Sequence, residues 1–317
     1  MPQHARLIHA HRLAMVALLA LSPGACAQTT TSQPTDPPHD PPPGQSPEQP
    51  KGDLGEAAEV AEIVAQQSDA ELQALLDALE RVDLETDSLR ASLYHVTENF
   101  VTGLKEARTG TLTLRTDRDD EHPSGLALRR FRVDIHSLIF DGQKHDEATS
   151  YIFDGTWLAE RIEDEKQYNK WQLVRPGERF DPMDKMQGSA IWLPIGLEVD
   201  RLQRDYDAAL VPAAEFFDGE PMGQTLADVT NAGEGSVQLR LRPRDANDPI
   251  EEIRLWFDGA SYLPRAHAVL DGEGLQVSTL FGVQQNPGDV DATLFETTDP
   301  PAREGWDVTA RPWRGGE

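Results

Sequence analysis

An α+β fold built on one antiparallel sheet is what this 317-residue sequence predicts. Three observations carry that reading. From Leu89 to about Asp299, short runs alternate apolar and polar residues with the period of a half-buried strand. Turn signals recur regularly between the runs, and no long helical pattern interrupts them, which argues against βαβ units. A leucine-patterned helix precedes the first strand.

That helical pattern spans Leu54–Arg81. Val60, Ile63 and Val64 form a short stripe, and Ser68-Asp69-Ala70-Glu71 reads as a capping box, so a second helix is expected to begin there. It carries Leu72, Leu75, Leu76 and Leu79 at helical spacing, the pattern of an amphipathic helix packing on a sheet. Strands follow at Leu93–Val101, at Thr109–Arg115 with Leu112 and Leu114 on one face, and at Leu128–Ile139. Later ones are Val237–Leu241, Ile253–Phe257, Ala266–Leu270 and Leu275–Val283. Two segments break the pattern: Asp181–Leu210, whose run Ile191-Trp192-Leu193 is apolar but broken by Pro194 and Gly196, and the Gly- and Asp-rich Asp218–Gly235, a surface insertion. Residues 301–317 read as a tail that Trp306 and Trp313 pin to the body.

Glu147–Val174 is the densest stretch. Asp154-Gly155 is expected to form a two-residue type I′ turn, since both central positions need positive φ. Tyr151, Phe153, Leu158 and Ile162 then share one face, with Ile152 and Trp157 on the other. A hairpin with one solvated face would show one polar side. This one needs cover on both sides, or lines a space that holds apolar matter. The aromatic-Asp-Gly triplet also occurs at Phe140, Phe217 and Phe257, with irregular spacing that indicates repeated turn chemistry.

At the start, a basic segment (His4, Arg6, Arg12) and the run Leu13–Leu21 resemble an export signal over residues 1–27; the run is too short for a membrane span, which takes ~20 residues. Two readings of its end stay open: cleavage after the Ala25-Cys26-Ala27 site, or a lipobox that leaves Cys26 lipidated. Either implies a periplasmic location, free or anchored through Cys26. Residues 28–53 are rich in Pro, Thr, Gln and Asp and form an extended or disordered tether, leaving residues 54–300 as the folded domain.

Composition excludes several classes. The net charge of −26, from 55 acidic against 29 basic residues, repels phosphate and disfavours nucleic acid as a partner. One cysteine rules out an intramolecular disulfide framework. There is no G-x-S-x-G, H-E-x-x-H or P-loop, so neither an enzyme nor a cofactor is expected. His95, His136 and His267 fall on strands where a shared metal site is conceivable, but their spacing is not that of a ligand set, and no metal is expected. Abundant apolar side chain on a sheet is compatible with an ordinary core filled by the helix or with a curved sheet that keeps a cavity.

The order of motifs resembles the outer-membrane lipoprotein carrier family (LolA/LolB-like). The similarity runs from about Leu72 to Asp299: the leucine helix, Gly110–Arg115, Tyr151–Leu158 with Lys166-Gln167-Tyr168, Ile253–Asp258 with Leu263-Pro264-Arg265, Thr279-Leu280-Phe281, and Val290–Phe295 as a closing strand. The resemblance implies an unclosed, strongly curved antiparallel β-barrel wrapped around the N-terminal helix, with short lid helices. It implies a monomeric periplasmic carrier or chaperone that holds lipoprotein acyl chains or other lipid in an apolar cavity, handing them between inner- and outer-membrane partners. Cavity and lid residues would be Leu112, Leu114, Tyr151, Phe153, Trp157, Leu158, Ile191, Trp192 and Leu193, and Arg115 lies one position from where the family places a switch arginine. The alternative in the same fold is an envelope sensor or interaction module that binds a membrane-protein partner.

Overall fold

A computed structural model describes residues 54–118, 126–175, 177–179, 199–215 and 235–313. The expected signal (with Cys26), the tether, the run Ile191–Leu193 and most of the Asp218–Gly235 insertion lie outside them. The chain divides into two compact units, Met1–Glu71 and Leu72–Glu317. Apart from the start of the first helix, every described element belongs to the second unit.

Helix α1 runs over Leu54–Glu85. It passes through Ser68 without the expected break: a lone serine among strong helix formers costs only about 0.5 kcal/mol, too little to end a helix that is packed further on. A short helix α2 covers Val199–Asp205.

The strands are β1 (Ser88–Asn99), β2 (Leu104–Asp117), β3 (Leu128–Phe140), β4 (Gln143–Phe153), β5 (Trp157–Ile162), β6 (Gln167–Gln172), β7 (Tyr206–Val211), β8 (Ser236–Pro243), β9 (Ile250–Asp258), β10 (Pro264–Asp271), β11 (Gly274–Gln285) and β12 (Asp307–Arg311). They form one sheet in the order β12-β6-β5-β4-β3-β2-β1-β11-β10-β9-β8-β7. The two end strands do not pair with each other, so the sheet is unclosed, as expected. Neighbours are antiparallel except β12, which pairs parallel to β6. Register shifts between β1 and β11, β2 and β3, and β3 and β4 mark bulges, with the extra residue on β11, β3 and β4, where strands bend and coil. Opposite the β3 bulge a side chain on Gly110 would put its Cβ 2.2 Å from the Asp134 carbonyl oxygen, so only glycine fits that approach.

Leu75, Leu76 and Leu79 of α1 pack with Leu239, Leu241, Ile253, Leu255 and Phe257 of β8 and β9, and with Leu202 and Tyr206. The C-terminal end of the helix reaches β3, where Arg129 makes a bidentate pair with Asp83 at 3.0 and 2.9 Å. Asn286 fixes the helix-to-β1 junction: its Oδ1 accepts from the Asp87 and Ser88 amides, and its Nδ2 donates to the Glu85 carbonyl. We call this side of the sheet the helix face.

The opposite face is crossed by the chain after β11. Arg115 donates to the Val290 carbonyl and Arg132 to the Leu294 carbonyl, the Thr297 hydroxyl donates to Asp154, and Lys170 pairs with Asp299. The segment thus passes β2, β3, β4 and β6 as a strap. It ends with Trp306, buried against Ile152, Ala159 and Tyr168, and then β12. Residues Val290–Phe295, expected as a strand, instead contain a 3-10 turn, Ala292–Phe295, whose N-cap Asp291 accepts from the Thr293 amide. The Asp291 side chain caps the turn, and a short polar side chain that bonds its own backbone two residues on competes with strand pairing. The expected tail contains strand β12, and β7 occupies the end of a segment read as irregular.

The turn chemistry also differs in detail. Asp141-Gly142 has φ of +50° and +69° and makes the two-residue hairpin of the primed type. At Asp154-Gly155 only the glycine has positive φ, and Phe153 pairs with Leu158 across a four-residue loop. The Asp154 carboxylate accepts from the Thr156 and Trp157 amides at 2.8 and 2.7 Å, which holds the longer loop open. The register moves by two residues, so each side chain keeps its expected face.

Candidate functional site

Cross-strand register defines which residues share the helix face. On β2 these are Glu106, Arg108, Leu112 and Leu114; on β3, Phe131, Val133 and Ile135; on β4, Thr149, Tyr151 and Phe153; on β5, Leu158, Glu160 and Ile162. The apolar members form a continuous wall across four neighbouring strands. Phe131 and Phe153 stack tilted, with ring centroids 5.3 Å apart. Leu112 is 1% exposed and Phe153 0%, and Leu114, Tyr151 and Leu158 are also buried. The wall does not belong to the cluster built on the leucines of α1, whose sheet residues come from β7–β10.

Of the nine expected cavity and lid residues, the sheet therefore brings five together: Leu112, Leu114, Tyr151, Phe153 and Leu158. Trp157 lies on the strap face, where it and Arg130, Asp154, Thr156, Phe295 and Thr297 line a cleft of 580 Å³. Lys170 sits 5.2 Å above its ring. Ile191, Trp192 and Leu193 lie outside the described residues. Arg115 also faces the strap, held by Asp117 at 2.8 Å and the Val290 carbonyl at 3.0 Å. It anchors the strap on the side away from the wall.

Beside the wall, on the same face, lies a buried polar row. His267 of β10, Ser278 of β11, His95 of β1 and Arg108 of β2 stand opposite one another in register. His95 Nδ1 is 2.8 Å from Ser278 Oγ. Arg108 lies 3.0 Å from Glu106 and 3.5 Å from Glu147. Thr149 donates to Glu147 at 3.2 Å. Glu160 accepts from the Tyr151 hydroxyl and from Asn169 Nδ2, both at 3.2 Å. Burial, with the Arg108 guanidinium adding to it, lowers His95 to about 4. Burial, then His95, lowers His267 to about 3. Burial, then Glu160, pushes the Tyr151 phenol well above its ordinary range. His136 faces the other way, exposed beside Thr111, so the three histidines do not converge. Among the described residues no group of three or more His, Cys, Asp or Glu side chains could hold a metal ion.

The row went unread in the sequence, although its signal was there. Glu106 and Arg108 are in phase with Leu112 and Leu114, and Glu160 is in phase with Leu158 and Ile162. Charged residues at positions the alternation assigns to the core mark a buried polar site.

Among the described residues no helix is long and apolar enough to cross a membrane. No protein-family model matches the chain, and no characterised protein matches it in sequence. Solved structures do resemble it. An uncharacterised conserved protein from Thermus thermophilus is 14% identical over 75% of this chain and 98% of its own, at a TM-score of 0.37. Lipoprotein LppX from Mycobacterium tuberculosis is 11% identical over 71% and 100%, also at 0.37. A LolA superfamily protein from Nitrosomonas europaea is 11% identical over 71% and 97%, at 0.31.

Proposed function

We propose that this chain is an exported, non-enzymatic carrier that holds acyl chains of lipoproteins or other lipids against the wall on β2–β5. One observation carries the reading: an apolar surface four strands wide, made by Leu112, Leu114, Phe131, Val133, Ile135, Tyr151, Phe153 and Leu158, which among the described residues stands apart from the cluster built on the leucines of the helix. Each CH₂ moved from water onto such a surface contributes about 0.8 kcal/mol, so a chain of ordinary length binds without any specific polar contact. The driving force is non-directional, which suits a carrier that must both load and release. Since the wall is buried, loading requires its cover to move. Ile191, Trp192 and Leu193 are the proposed lid. Release follows when a partner offers a larger apolar surface.

The test is titration of delipidated protein with a fluorescent diacylated lipopeptide. Saturable binding is expected, with an emission shift reporting an apolar environment. Absence of uptake refutes the carrier reading and leaves the partner-binding module, for which capture of envelope proteins is the corresponding experiment.

A further inference from the structure

We propose that the strap-face cleft around Trp157 is a second binding site, separate from the wall, and that it takes a neutral sugar ring of a glycan. The site goes beyond the carrier reading and does not rest on it.

At 580 Å³ the cleft falls within the ~300–1,000 Å³ of small-molecule sites. Strand β3 supplies Arg130, the loop after β4 supplies Asp154 and Thr156, β5 opens with Trp157, and the strap adds Glu296 and Thr298. These parts are tied to one another. The Thr297 hydroxyl of the strap donates to Asp154, whose other oxygen accepts from the Thr156 and Trp157 amides. Arg130 Nε donates to the Asp154 carbonyl at 3.3 Å. The cleft is therefore preformed, and a ligand does not bear the entropy of ordering it. The sheet lies between this cleft and the wall, so a lipid whose chain lies on the wall cannot place its head group here. The occupant is a free glycan rather than the head of a carried glycolipid.

The lining matches a sugar in two respects. Trp157 is half-buried, and the face of an aromatic ring is its electron-rich side. A sugar ring can lay its C–H bonds, which carry a small positive charge, on such a face. Around the ring stand polar groups with capacity to spare. Arg130 uses Nε and Nη1, and its Nη2 makes no hydrogen bond among the described residues; nor do the hydroxyls of Thr156 and Thr298 or the carboxylate of Glu296. A hydroxyl both donates and accepts, so neighbouring hydroxyls of one sugar can accept from Arg130 and donate to Glu296. Ionic ligands fit less well. Arg130 is paired with Asp117, Lys170 above the Trp157 ring with Asp299, and the Asp154 carboxylate is held by three donors. Glu296 is exposed, and water screens its charge. A charged ligand would lose hydration without meeting a buried counter-charge.

The experiment is calorimetric titration of full-length protein with three trisaccharides: chitotriose, which is neutral, its fully deacetylated form, and trigalacturonate, at a pH where the second is protonated and the third ionised. Chitotriose is expected to bind at least fivefold more tightly than either charged sugar. Trp157→Ala should weaken it at least tenfold. The double variant Glu296→Ala, Thr298→Val, at exposed positions, should weaken it at least threefold. No binding of chitotriose, tighter binding of a charged sugar, or an affinity unchanged in both variants overturns the proposal. Should Trp157→Ala fail to fold by circular dichroism, the wild-type comparison and the double variant still decide. Saturation with the fluorescent lipopeptide should leave chitotriose affinity unchanged; displacement of one by the other overturns the separate site and leaves the carrier reading intact, whereas chitotriose binding without lipopeptide uptake overturns the carrier reading alone.

Discussion

Two buried histidines make stability fall in acid by a calculable amount. His95 is lowered from 6.5 to about 4 and His267 from 6.5 to about 3, in both cases mainly by burial. In the unfolded chain each takes up a proton as the pH drops through 6.5, whereas the folded protein resists until about pH 4 and 3. The unfolded state therefore binds more protons over that window, and stability is lost as pH falls. At about pH 5 the linkage relation gives a loss of about 2 kcal/mol per histidine, about 4 kcal/mol together, relative to neutral pH. The perturbation is the double variant His95→Asn, His267→Gln, which removes both protonation sites and leaves Arg108, Glu106 and Glu147 in place. Urea unfolding followed by tryptophan fluorescence, at neutral pH and at about pH 5, measures the effect. The wild type should lose about 4 kcal/mol more than the double variant between the two conditions. Equal losses would refute the reasoning, because they would mean that the histidines protonate freely in the folded state.

Further outcomes follow from single contacts. Gly110→Ala sets a Cβ against the Asp134 carbonyl and should cost about 1–3 kcal/mol by urea midpoint, with no cost if the bulge is absent in solution. Trp306→Ala removes the side chain that packs on Ile152, Ala159 and Tyr168 beneath the Arg161 and Lys166 side chains. It should cost about 3–5 kcal/mol and speed amide exchange in Asp307–Arg311 ahead of the rest of the sheet; uniform exchange would contradict the strap. Trp192→Asp should weaken lipopeptide uptake without lowering the melting temperature, and unchanged uptake would dispose of the lid assignment.

The strands were legible because their period is local. Thr109–Arg115 and Leu128–Ile139 alternate cleanly, and the faces assigned to Tyr151, Phe153, Ile152 and Trp157 hold even though the Asp154 loop is two residues longer than expected. Parity survives a slip of two. What was not legible depends on distant partners. Strand β12 exists because residues 307–311 find the open edge of β6, and the segment around Ala292–Phe295 lies where Arg115 and Arg132 hold it. The hairpin is apolar on both sides for two separate reasons: the strap and Trp306 cover Ile152, while Phe153 and Leu158 belong to the wall. A one-dimensional pattern shows that both faces need cover and cannot say what provides it. The polar row escaped for the related reason that its members come from β1, β2, β4, β5, β10 and β11, and only the sheet order brings them into line.

The central claim is that acyl chains lie on the helix face of β2–β5. Photocrosslinking tests it most directly: a lipopeptide carrying a diazirine on its acyl chain is bound to delipidated protein and irradiated, and the labelled residues are found by mass spectrometry. The account predicts labels at Leu112, Leu114, Phe131, Tyr151, Phe153 and Leu158. Labels confined to the strap-face cleft around Trp157 and Phe295, or among the α1 leucines and β8–β9, would contradict it.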